Sequence, residues 1–131
     1  MNQDYSRKII RTDTILTNSY VACTTVGIDD NNLHLKNQLV LLLKITKGSL
    51  TSFQFKIEFS DDNTNWYQES SGVASGGTVT ETPVEHSITL SADQNIRVAL
   101  PIKDKYVKVS VKGTGTVTSS SLQVVAVVGI Q

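Results

Sequence analysis

The sequence contains one cysteine, two prolines, one tryptophan and no excess of charge of either sign. A single thiol, Cys23, cannot close a disulfide within the chain, so no covalent cross-link holds the fold. It sits in the strand-like run Tyr20–Val26 and reads as a buried structural thiol rather than a nucleophile. Twelve basic and twelve acidic side chains give a formal net charge of zero. No long-range field then steers the protein to nucleic acid or to an anionic membrane, and neither contact is expected. Apolar runs such as Leu39–Leu43 are far too short to cross a bilayer. Met1–Tyr5 is polar and lacks the apolar stretch of a secretory signal, and no N-x-Ser/Thr acceptor occurs. Synthesis in a reducing cytoplasm is the expectation.

Groups that carry chemistry are equally scarce. Two separated histidines, His34 and His86, and one cysteine do not supply the clustered ligands of a zinc site. No G-x-S-x-G elbow marks a serine nucleophile. Gly76-Gly77 and Gly113-Thr114-Gly115 read as turn glycines, without the helix and lysine of a phosphate-binding loop. Asp61-x-Asn63-x-Asn65 matches the first three positions of a calcium loop, but Trp66 stands where glycine is needed and Gly72 where a bidentate Glu belongs. A β-turn explains these Asp and Asn residues without an ion. No catalytic residue, cofactor or metal is therefore expected, and the chain does not read as an enzyme.

What is abundant is β-branched and hydroxyl chemistry: Val, Thr, Ser and Ile dominate, with Leu. Such side chains suit a pleated, half-buried surface and crowd a helix. Phe53–Phe59 alternates aromatic or aliphatic with polar residues at period two, the pattern of a strand with one wet face. Asp61–Thr64 turns that strand into a hairpin whose second arm holds Trp66. Leu39–Thr46 reads as a strand buried on both faces, and Ile96, Val98 and Leu100 mark another with one buried face. Val107, Val109 and Val111 mark a further one, and Ser121–Ile130 a long apolar strand that must lie mid-sheet or against a partner. Ser70–Gly77 reads as a flexible Gly/Ser loop. The sum predicts an all-β, antiparallel β-sandwich of jelly-roll type with about eight to ten short strands. Residues 14–131 form its single domain, preceded by an N-terminal arm, 1–13, that has no periodicity and is expected to be held by a neighbouring subunit.

Two surfaces invite partners. The arm offers Tyr5, Arg7, Lys8 and Arg11, and the basic strand region offers Lys105, Lys108 and Lys112, although a solvated strand face is the favoured reading of the lysines. Trp66-Tyr67 is the one aromatic pair that could stack on a glycan, although alternation along a strand sends the two rings to opposite faces.

The stretch Phe53–Tyr67, with its Ser60-Asp61-Asp62 turn and Trp66, resembles a hairpin of small β-sandwich virion proteins of tailed bacteriophages. Ile96–Thr116, with Tyr106-Val107-Lys108-Val109 and a Gly-Thr turn before the apolar Ser121–Val127, resembles a later part of the same proteins. The likeness spans roughly residues 39–128. It implies a non-enzymatic virion structural protein, a capsid decoration (auxiliary) protein or a neck or tail component, made in the host cytoplasm. Such a protein forms a homo-oligomer and binds other virion proteins. A carbohydrate-binding β-sandwich module is the alternative, with Trp66 and Tyr67 as its platform.

Overall fold

A computed structural model describes residues 6–27, 38–101 and 104–129. Among them there are twelve strand segments and no helix. β1 (Ser6–Ile15), β4 (Gln38–Thr46), β10 (Gln94–Pro101) and β12 (Ser121–Gly129) form sheet A in the order β1-β12-β4-β10. β2 (Val21–Ala22), β3 (Val26–Gly27), β5 (Leu50–Ser60), β6 (Tyr67–Gln68), β9 (His86–Thr89) and β11 (Tyr106–Gly115) form sheet B. There β11 pairs with β5, β2 and β3 lie along the outer edge of β11, and β6 and β9 along that of β5. β7 (Ser70–Ser75) and β8 (Thr78–Pro83) pair only with each other. All pairings are antiparallel.

The two sheets pack face to face. Leu39, Leu41, Leu43 and Ile45 of β4 and Leu122, Val124, Ala126 and Val128 of β12 meet Phe53, Phe55 and Ile57 of β5 and Val107, Val109 and Val111 of β11. Period-two alternation puts each of these sets on one face of its strand, so burial of the apolar face defines the sandwich. β2 and β3 are one broken strand along β11. With the β6–β8 insertion set aside, eight strands remain, and renumbered in chain order they form sheets 1-8-3-6 and 2-7-4-5. Successive strands thus alternate between sheets, except for the paired strands 4 and 5, in the manner of a jelly roll.

Two local expectations differ from the structure, and one open alternative is decided. Residues 6–13, read as an arm, belong to β1 and pair with β12 of the same chain, from Ser6↔Val128 to Arg11↔Val124. Their ladder has irregularities between Ile9 and Arg11 and again before Thr14, which hide the alternation. The apolar C-terminal strand lies mid-sheet, flanked by β1 and β4, so its backbone edge is satisfied within the chain. Ser70–Gly77, read as a loop, supplies β7 and the tip of a two-stranded ribbon.

Candidate functional site

Period two also determines what faces out. On sheet A the outward positions of β4, β12, β10 and β1 fall in rows across the strands. One row runs Arg97, Leu42, Val125, Ile9; the next above it runs Ala99, Val40, Val127, Arg7; below lies Asn95, Lys44, Gln123. Together these rows make an apolar strip with Arg97 at one sheet edge, Arg7 at the other and Lys44 beneath. A shallow hollow of about 350 Å³ opens here, lined by Arg7, Lys44, Arg97, Asn95 and Gln123 over a floor of Leu42 and Val125. Among the described residues no carboxylate or hydrogen-bond acceptor pairs with any of the three cations. Such an array favours an anionic group whose surroundings are apolar.

The outer face of sheet B differs, because its cations are occupied. Lys108 Nζ lies 4.2 Å from the centroid of the Trp66 ring. Tyr20 is flanked by Lys56 Nζ at 4.9 Å and Lys112 Nζ at 4.7 Å, and its hydroxyl donates to Glu85 Oε1 at 2.5 Å. Burial together with the acceptor Glu85 raises the Tyr20 pKa well above the usual phenol value. These stacked pairs tie down long side chains that would otherwise be mobile.

The sequence-derived candidates therefore do not share one surface. Tyr5 lies outside the described residues. Arg7 joins the sheet A hollow, and Lys8 is exposed opposite Ala126. Arg11 folds back onto the backbone of β1 and its neighbour β12, donating from Nε to the Leu122 carbonyl at 3.2 Å and from Nη2 to the Thr14 and Ile15 carbonyls at 3.1 Å. It holds the irregular end of β1 together. Lys105 is half-buried and engaged, while Lys108 and Lys112 stack on rings across sheet B. Trp66 is half-buried against Lys108, whereas Tyr67 is 65 % exposed and pairs with Phe59 on the opposite face. The two rings do not form one platform.

Sequence reasoning missed Lys44 and Arg97. Each is the one charge in an otherwise apolar or alternating strand, at a position out of phase with the core residues, which is a legible sign of an outward face. Their adjacency depends on β10 pairing with β4, and no local pattern reveals that.

The other titratable groups have structural work. Asp62 accepts from the Ser60 hydroxyl, the backbone N–H groups of Thr64 and Asn65, and Asn65 Nδ2, all at 2.8 to 3.0 Å. These bonds hold its carboxyl well below the usual carboxylate range. With Asn63 in the left-handed region at φ 60°, this is a self-capped turn. His86 stacks on Phe55 at 4.8 Å and contacts Glu69 Oε1 through Nε2 at 2.9 Å, and among the described residues no serine hydroxyl joins them. His34 lies outside the described residues. Burial pushes the Cys23 thiol up to about 11, with Arg11 opposing weakly. Among the described residues no three potential metal ligands converge. No protein-family model matches the chain, and no curated protein shows significant similarity to it.

Proposed function

We propose that the chain is a non-enzymatic structural subunit of a virion, a capsid decoration or auxiliary protein that acts by docking sheet surfaces against neighbouring proteins. The virion assignment comes from the resemblance carried by Phe53–Tyr67 and Ile96–Val127. The observation that supports a docking role is the outer face of sheet A, an apolar strip ringed by three cations without partners among the described residues. Jelly rolls serve in viral shells and in lectins alike, so fold class admits both a shell role and a glycan role. Repeated weak contacts of such subunits become strong in an array. A neck or tail position would use the same surfaces and differs by stoichiometry.

Native mass spectrometry or light scattering of the assembly from producing cells tests this reading. The expected result is a megadalton particle containing the chain beside a major shell or tail protein. A chain found alone as a monomer overturns it. The glycan reading has in its favour the exposed ring of Tyr67, with the half-exposed Trp66 on the other face. Quenching of Trp66 fluorescence by glycans would select that reading; an unchanged spectrum across a glycan panel removes it.

A further inference from the structure

The β7–β8 ribbon has no core of its own. All twelve of its strand residues are exposed, and none belongs to the buried cluster. Six cross-strand pairs and a tip at Gly76-Gly77, with φ of +58° and +82°, build a regular two-residue hairpin. Its root is tied to the body by Glu69 N–H to the Ile57 carbonyl and Val84 N–H to the Glu69 carbonyl, both 2.8 Å. A solvated two-stranded ribbon is marginal by itself, and Val73 and Val79 are 69 % and 68 % exposed on it. Register sorts its faces: Ala74↔Val79 and Gly72↔Glu81 lie on one side, Val73↔Thr80 on the other. One side thus carries a small apolar pair followed by the ribbon's single charge, and the bare Gly72 leaves room for the Glu81 carboxylate to lie over it.

Net neutrality conceals a sharp segregation of charge. Residues 57–96 hold seven of the twelve acidic side chains and no Lys or Arg. The described strands of sheet A carry Arg7, Lys8, Arg11, Lys44 and Arg97 against one acid, Asp13. The ribbon projects from the acidic segment, between two strands of sheet B, while the hollow is on the outer side of sheet A. In the same chain the ribbon makes no extended contact with a strand of sheet A, so it does not fill its own hollow.

We propose that the occupant of the sheet A hollow is the β7–β8 ribbon of a second copy of this chain. Val79 and Ala74 lie over the half-exposed Leu42, whose neighbour Val125 is nearly fully buried, and Glu81 meets Arg97, with Lys44 and Arg7 completing the cationic rim. The spacings agree: Val79 and Glu81 are about 7 Å apart along a strand, and Arg97 is about 5 to 10 Å across the sheet from Leu42 and Val125. Ribbons exchanged reciprocally close a two-fold dimer, and ribbons passed in one direction generate rings or open chains. This inference rests on the docking reading above and names its partner.

The test is sedimentation or light scattering of the full chain at low salt, with Glu81→Arg, Arg97→Glu and the double variant. Both positions are exposed, so the variants keep the fold. Wild type is expected to self-associate, and raising salt to about 0.5 M weakens this because the pair is at a solvated rim. Each single reversal weakens association at least about tenfold, and the double variant restores it, since the reversed charges again face each other. A wild-type chain monomeric at millimolar concentration, singles that associate like wild type, or a double variant that stays dissociated overturns the proposal. A chain that is monomeric alone yet enters large particles with another protein would overturn this partner and leave the structural role standing.

Discussion

Ile10 distinguishes a strand from an arm. It is 3 % exposed and packs in the inter-sheet cluster, while its neighbour Ile9 is 45 % exposed on the outer side of the same edge strand. Ile10→Ala removes three buried carbons from a core shared with sheet B. Substitutions of this kind cost about 2–5 kcal/mol, and an edge strand can relax, so about 2–3 kcal/mol is expected. Ile9→Ala removes the same atoms from a half-exposed site, where at most about 1 kcal/mol of burial is lost. With roughly 3 °C per kcal/mol for a chain of this size, Ile10→Ala lowers Tm by about 6–10 °C and Ile9→Ala by no more than about 3 °C. Urea unfolding of both variants at pH 7 measures the difference directly, with an unchanged m-value showing that only stability moved. Equal losses for the two, within about 0.5 kcal/mol, would refute the placement of β1 against β12.

Three further outcomes follow from local geometry. The hydrogen bonds that lower the Asp62 pKa stabilise the fold above the ordinary carboxylate value near 3.9, and that contribution fades as pH falls through and below it. The stability gap between wild type and Asp62→Asn is therefore present at pH 7 and shrinks by pH 2 in urea titrations; a pH-independent gap would show that the carboxylate charge plays no part. Gly48 has φ +53° and a Cβ there would lie 2.5 Å from the Ser119 carbonyl oxygen, whereas Gly76 has φ +58° and open space. Gly76→Ala should cost about 1–2 kcal/mol for backbone strain alone and Gly48→Ala distinctly more, with equal costs counting against the Gly48–Ser119 contact. Alkylation of Cys23 at pH 8 should be at least about a hundredfold slower in the native protein than in denaturant, because a pKa near 11 and burial both withhold the thiolate; comparable rates would place the thiol at the surface.

Much of the fold was legible because burial imposes period two. The outward and inward residues of β4, β5, β10, β11 and β12 all follow from apolar alternation or apolar runs in the sequence. The Asp62 turn was legible as well, since Asp and Asn favour that backbone, although the capping carboxylate is Asp62 and not the Asp61 of the calcium-like pattern. The β1 strand was hidden because its ladder irregularities break the alternation, and Arg11 there turns back to backbone carbonyls instead of outward. The first strand of the ribbon was hidden because it buries nothing: without a core face, its Ser and Gly residues leave no apolar period to read.

The sequence by itself determined the class of fold, the absence of disulfide staples and a segment, residues 57–96, that is acidic and free of Lys and Arg, since each depends on residue type or spacing along the chain. Only the tertiary structure decided which strands are neighbours, and with it that Arg7, Lys44 and Arg97, distant in sequence, border one apolar hollow. Likewise, it decided that the apolar C-terminal strand is enclosed between β1 and β4 and that Lys108 and Lys112 are taken up by aromatic rings. The reason is physical: side-chain alternation is a local property of a strand, whereas pairing order is set by long-range closure of two sheets around a shared core.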